Sequence, residues 1–240
     1  KSSHGAAMLA RMKHEGIPIE AIFLEQRKTS KTGREALGAL RRLGPITFSK
    51  VVLSKFIIEP LKLNREKWHY NDFYSQYSDK VIVVENFNDE TCAERMKRVA
   101  PDVVVLGGSR ILRQHIIEIP TLGVLNAHPG LLPKYRGVDV IPWAILNGDD
   151  IGVTLHFIDK GVDTGPVVFT EVLDNQNDDS LESLKKRAEL LAAELMCKAI
   201  RILRDYGTLP VAHQSTESGQ QYYKMPSHLL DKVNSKLLGR

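Results

Sequence analysis

From residue 80 to residue 128 the chain alternates between two textures, and that alternation limits the fold more than any other feature. "KVIVVE" (80–85), "PDVVVLGG" (101–108) and "LGVLNAH" (122–128) are apolar, β-branched runs. They read as buried strands. Between them lie "NDETCAERMKRVA" (88–100), a helix opened by an Asn or Asp cap, and "RILRQHIIE" (110–118), a short helix ended by Pro120. Strands without polar alternation, separated by helices, predict a parallel sheet covered on both faces. The expected class is α/β, a Rossmann-like and mostly parallel sheet with helices on both sides. In such sheets ligands bind beyond the carboxyl ends of the strands. Gly107, Gly108, Asn126 and His128 all fall at such ends.

The flanks extend this pattern. "HGAAMLARMKHEG" reads as a helix closed by Gly16, and "IPIEAIFLE" as the strand after it. Residues 35–77 have no clean period and are expected to form an irregular, largely helical insertion. After Gly137, "VDVIPWAILNGD" reads as a helix closed by Asn147-Gly148. "IGVTLHFID" and "GPVVFTEVL" then read as an antiparallel hairpin. Asp178 or Asp179 is expected to cap a long amphipathic helix running to Tyr206. Residues 1–206 are expected to form the catalytic domain. Residues 207–240 would be a turn-rich C-terminal extension ending in a short helix.

Composition removes several classes. With 42% hydrophobic and 26% charged residues among 240, the chain is that of an ordinary globular protein. No apolar run approaches the roughly 20 residues of a membrane span. Cys92 and Cys197 are too few for a disulfide framework or a zinc site, which implies a cytoplasmic setting and no metal. The net charge of +4 is uneven, with eleven Lys or Arg against three acids between Arg27 and Lys67. That stretch is either a solvated surface or a face for an anionic partner.

"LNAHPGLLPKYRG" (125–137) is where chemistry enters. Strand residues two apart share a face, so Asn126 and His128 project together just before a loop constrained by Pro and Gly. Asp163, in "DKGVDTG" (159–165), lies on the turn of the next hairpin and can fold over that strand end. An amide donor for an oxyanion, an imidazole to move a proton and a carboxylate to orient it make an acyl-transfer set. Singly, each has a bland reading: a satisfied structural His, a turn-forming Asn, an Asx turn. No nucleophile sits in a strand–Ser–helix elbow, which points to direct transfer without an acyl-enzyme. No G-x-G-x-x-G follows a strand, so a nicotinamide enzyme is disfavoured.

"LNAHPGLLPKYRG" followed by "GVTLHFIDKGVDTGPVV" resembles the signature of the folate-dependent formyltransferases. That family includes glycinamide ribonucleotide, methionyl-tRNA and sugar N-formyltransferases. The resemblance is strong over 101–173 and weak over 35–77. It implies 10-formyltetrahydrofolate as formyl donor and a primary amine as acceptor. It makes Asn126, His128 and Asp163 the catalytic triad, with Asn126 and protonated His128 stabilising the oxyanion. Ser109, Arg110, Ile111 and Leu112 match the segment lining the folate pocket, with Ile111 and Leu112 as walls. His156, Asp159, Lys160 and Gly161 fall in the loop that holds the pterin. Leu131 and Leu132 would form a lid anchored by Arg136.

Acceptor contacts are expected from Ser2, Ser3, Gly5, Gly107, Pro129 and Arg136. The purine enzyme has a strand before its glycine-rich phosphate loop; here the numbered chain opens at "KSSHGA", so that strand is expected upstream. The acceptor is expected to be a small or carrier-borne amine, anionic, neither membrane-bound nor nucleic acid. Two alternatives stand beside transfer: hydrolysis of the formyl donor to formate, and a catalytically silent folate- or nucleotide-binding module.

Overall fold

The computed structural model describes residues 3–25, 76–108, 110–174 and 179–239. The basic stretch 27–67 lies outside them, as does the expected insertion apart from residues 76 and 77. The chain divides into two compact units, one built on Ala21–Asn86 and the other on Ser2–Glu20 with Phe87–Arg240.

In the first unit, β1 (Ile22–Glu25) and β2 (Val81–Val84) pair in parallel, Ile22 opposite Val81 and Glu25 opposite Val84. The strand expected over 17–25 begins only at Ile22; Pro18 cannot donate to a ladder. Nor is β2 a buried strand throughout: Val84 is buried but Val83 is 48% exposed. β-branching reports how well a residue suits a pleated backbone, not how deeply it is covered.

The second unit opens with α1 (Ser3–His14), which ends in a turn where Gly16 takes a φ of +65°. In α2 (Glu90–Val99), the Asp89 side chain accepts from Cys92 N at 2.9 Å, the cap the sequence implied. β3 (Val103–Val105) pairs in parallel with β4 (Gly123–His128). Between them the expected helix over 110–118 shrinks to one turn, α3 (Gln114–Ile117). Asn88 explains the difference. Its Nδ2 donates to Ile111 O at 2.9 Å and its Oδ1 accepts from Arg113 N at 2.7 Å, engaging main-chain groups at the start of that segment.

β5 (Tyr135–Gly137) leads into α4 (Val140–Asn147), closed by Gly148 at φ +78°. β6 (Gly152–Phe157) and β7 (Val167–Val172) complete an antiparallel hairpin, and the sheet runs β3-β4-β6-β7. The helix α5 (Leu181–Tyr206) packs on β4 and β6. Its buried Leu184, Ala188, Ala192 and Met196 belong to the same core as Leu125, Val153 and Leu155. Small residues on that helix face allow close approach to the sheet. Its N-cap is Ser180 in a capping box with Ser183, not Asp178 or Asp179. Asp179 instead accepts from Ser183 Oγ at 2.8 Å and pairs with Arg187.

After Tyr206 the chain stays engaged with the rest of this unit. β8 (Gln220–Tyr222) pairs in parallel with β5, a strand the sequence reading did not anticipate. α6 (Ser227–Leu238) buries Val233 and Leu237 and packs against α4. The α/β class holds, with antiparallel β6 and β7 following the constrained loop. No helix among the described residues is long and apolar enough to cross a membrane.

Candidate active site

The register of β4 on β6 builds the centre of the site. It places Asn126 opposite His156 and His128 opposite Thr154. The side chains of His128 and His156 then meet Asp163, from the turn that joins β6 to β7, and Asn126 joins the group through His156. His128 Nδ1 lies 3.5 Å from Asp163 Oδ2, and His156 Nε2 lies 3.5 Å from Asp163 Oδ1. Asn126 Nδ2 is 3.2 Å from His156 Nε2. Asp163 holds a φ of +53°, and its Oδ2 accepts from Gly137 N at 2.8 Å.

Hydrogen-bond logic assigns the proton positions. His128 Nε2 is 2.7 Å from Tyr135 O, which can only accept, so Nε2 carries a proton. The Nδ1 edge facing Asp163 is the one left for proton exchange. His156 Nδ1 likewise donates to Phe157 O at 2.8 Å. Its Nε2 accepts from Asn126 when the ring is neutral and donates toward Asp163 when it is charged.

Burial pushes the His128 pKa down, and the nearby His156 adds to that. The Asp163 charge and the bond to Tyr135 raise it without restoring the ordinary value of 6.5. For Asp163, burial pushes the carboxyl up. The His156 bond, the His128 charge and the Gly137 N–H together outweigh it and hold the carboxyl below its usual value. At neutral pH the resting pair is therefore a neutral His128 imidazole beside an Asp163 carboxylate.

The loop after β4 is fitted to this arrangement. Thr154, fully buried, donates to Gly130 O at 2.7 Å and accepts from Leu132 N at 3.1 Å. A Cβ on Gly130 would lie 2.8 Å from Tyr135 O and 2.9 Å from His128 Nε2, so only glycine leaves the ring in place. Leu131 and Leu132 are half-buried. Arg136 donates through Nη2 to Gly219 O at 3.3 Å, and its buried Nε has no partner among the described residues.

The other expected site residues are distributed as follows. Ser2 and Ser109 lie outside the described residues, and Ser3 is the first residue of α1. Gly5 and Gly107 come together: a Cβ on Gly107 would sit 2.8 Å from Gly5 Cα. Pro129, Arg110 and Lys160 are exposed. Ile111 is 70% exposed, whereas Leu112 turns inward. Asp159 Oδ1 accepts from Gly161 N at 2.9 Å and Thr164 Oγ1 at 2.6 Å, bracing the turn that carries Asp163. His156 is fully buried against Asn126 and Asp163, a place the sequence reading did not give it. No cluster of His, Cys, Asp or Glu suited to a metal ion occurs among the described residues.

The formyl transferase family model matches residues 66–200. The methionyl-tRNA formyltransferase of Thermodesulfovibrio yellowstonii is 37% identical over 122 residues, 50% of this chain and 40% of that protein. This chain spans less than half the length of the methionyl-tRNA formyltransferases it matches. In fold it is similar to the phosphoribosylglycinamide formyltransferase of Bacillus halodurans. There the TM-score is 0.58 at 20% identity, over 85% of this chain and 91% of that one. It is also similar to the formyltransferase PseJ of Anoxybacillus kamchatkensis, solved with a formamido sugar nucleotide and tetrahydrofolate. That match has a TM-score of 0.51 at 23% identity, over 65% of this chain and 80% of that one.

Proposed function

The chain belongs to the formyl transferase family, and from that premise we propose that it moves a formyl group from 10-formyltetrahydrofolate to a primary amine. The convergence of Asn126, His128 and Asp163 at one strand end carries this reading. The donor supplies a carbonyl carbon for the amine to attack, and negative charge then builds on the formyl oxygen. Asn126 offers an amide N–H to that oxygen. His128 starts neutral, so it can take the proton that the amine sheds, through Nδ1 and with Asp163 beside it. The imidazolium formed in this way is stabilised by the Asp163 carboxylate and favours the anionic oxygen. It then returns its proton to the donor nitrogen as the bond from that nitrogen to the formyl carbon breaks, the carbonyl re-forms on the acceptor amine and tetrahydrofolate leaves. Histidine suits the step because its charge changes near neutral pH.

We assign the donor's flat ring to the exposed side chain of Ile111 and the main chain of residues 158–163. Tetrahydrofolate in the Anoxybacillus enzyme supports the donor class. The acceptor is assigned to the side of Arg136, whose spare buried N–H favours an anionic group. The test is to mix the chain with 10-formyltetrahydrofolate, with and without phosphorylated and nucleotide-linked amines. Amine-dependent loss of the formyl donor supports transfer. Formate release that ignores the amine would replace transfer by hydrolysis, and no turnover of either kind would sink both. Asn126→Ala and His128→Ala are each expected to lower turnover by about 100-fold or more while donor binding persists.

A further inference from the structure

We propose that Gln214 is a positioning residue for this reaction: from the C-terminal segment, its amide clamps the two carbonyls flanking Thr164 and so sets where the Asp163 carboxylate stands. The inference rests on the reading of Asn126, His128 and Asp163 as the acyl-transfer set. Gln214 Nε2 donates to Asp163 O at 3.1 Å and to Gly165 O at 2.6 Å, across 51 and 49 residues of sequence.

The turn needs such a hold. Asp163 sits in the left-handed region at φ +53°, which a residue with a Cβ adopts less readily than glycine. The turn's own braces run from Asp159 to Gly161 N and Thr164 Oγ1, and neither engages the carbonyls of Asp163 and Gly165. Beside the turn, Ala212 and Val167 exchange main-chain hydrogen bonds of 2.8 Å in each direction, which fixes the segment that carries Gln214.

The state of the amide itself points to purpose. Gln214 Oε1 is buried and has no partner among the described residues. The side chain is thus turned to spend its donor on the turn while its acceptor goes unpaired. Leaving a buried acceptor unpaired is unfavourable, and an apolar side chain would avoid it. The same stretch of chain supports the second anchor of Asp163. β8 pairs with β5, whose Gly137 N–H donates to the carboxylate.

The clamp can be read without turnover. His128 is faced by Asp163 from the turn, by His156 from β6 and by the Tyr135 carbonyl from β5. Of these, His156 lowers the imidazole pKa and the Tyr135 carbonyl raises it, and the largest raising influence is the Asp163 carboxylate. Moving it away lowers the pH at which His128 titrates. NMR titration of the His128 ring in the full chain should therefore move down in Gln214→Ala and in Gln214→Met, in the direction of Asp163→Asn. Turnover should fall by about tenfold or more with the donor KM nearly unchanged. A wild-type His128 titration in both folded variants would overturn the clamp. So would failure of both variants to fold, since Gln214 would then be a core residue. If the wild type transfers no formyl group but the titration still shifts, the clamp stands and the reaction assignment falls.

Discussion

His128 commits one ring edge to Tyr135 O and turns the other to Asp163. This gives a pH dependence with a definite sign. Burial holds the His128 pKa below 6.5, so the unfolded chain binds this proton more readily than the folded one. Stability from the site is present above pH 6.5 and declines as pH falls toward the lowered value. Asp163, depressed below 3.8, adds a further loss in the same direction at lower pH. If His128 takes the amine proton as proposed, turnover needs the neutral imidazole and should show an acid limb below pH 6.5. Asp163→Asn should move that limb to still lower pH; a limb above 6.5 in the wild type would contradict the assignment. Gly130→Ala pushes a methyl group against the ring and the Tyr135 carbonyl, and should cut turnover by about 100-fold and also lower Tm. Asn126 and His128 were legible because their two-residue spacing guarantees a shared face. The place of His156 was not, since it depends on the β4–β6 register, and local sequence does not encode which residues face each other across strands.

Elements with strong local chemistry were read well and those made by distant pairing were not. α2 with its Asp89 cap, α4 with Gly148 and the β6–β7 hairpin follow from caps, glycines and turns close in sequence. The start of α5 was expected at Asp178 or Asp179, and geometry rather than residue type selected the neighbouring Ser180. Ser180→Ala should lower unfolding free energy by about 1 kcal/mol in denaturant titration and leave turnover unchanged. The Asn88 brace on 111–113 was invisible because its partners lie 23 and 25 residues away. Asn88→Ala should raise the donor KM more than it lowers kcat, since it loosens the segment assigned to the donor and not the acid–base pair. β5 and β8, three residues each, are too short to show a period, and they exist as strands through pairing with each other.

At the scale of the second unit, residues 207–239 are fastened to the rest at several points. Met225, Val233 and Leu237 are buried, Gln214 holds the Asp163 turn, and β8 supplies the partner of β5. A chain ending at Tyr206 should therefore lose its cooperative unfolding transition or precipitate. Retention of the parent Tm would show that the segment is dispensable for folding. Trp143 offers a way to watch this. Its indole lies 5.4 Å from the Tyr222 ring and donates to Tyr223 O at 2.9 Å, while Tyr222 stacks on Tyr135 at 5.0 Å. The tryptophan is thus a built-in optical gauge of whether the tail is seated. Lifting the tail would hydrate the indole and shift its emission to longer wavelength, so in a Trp68→Phe background fluorescence can time the tail's departure before any chemistry is assayed.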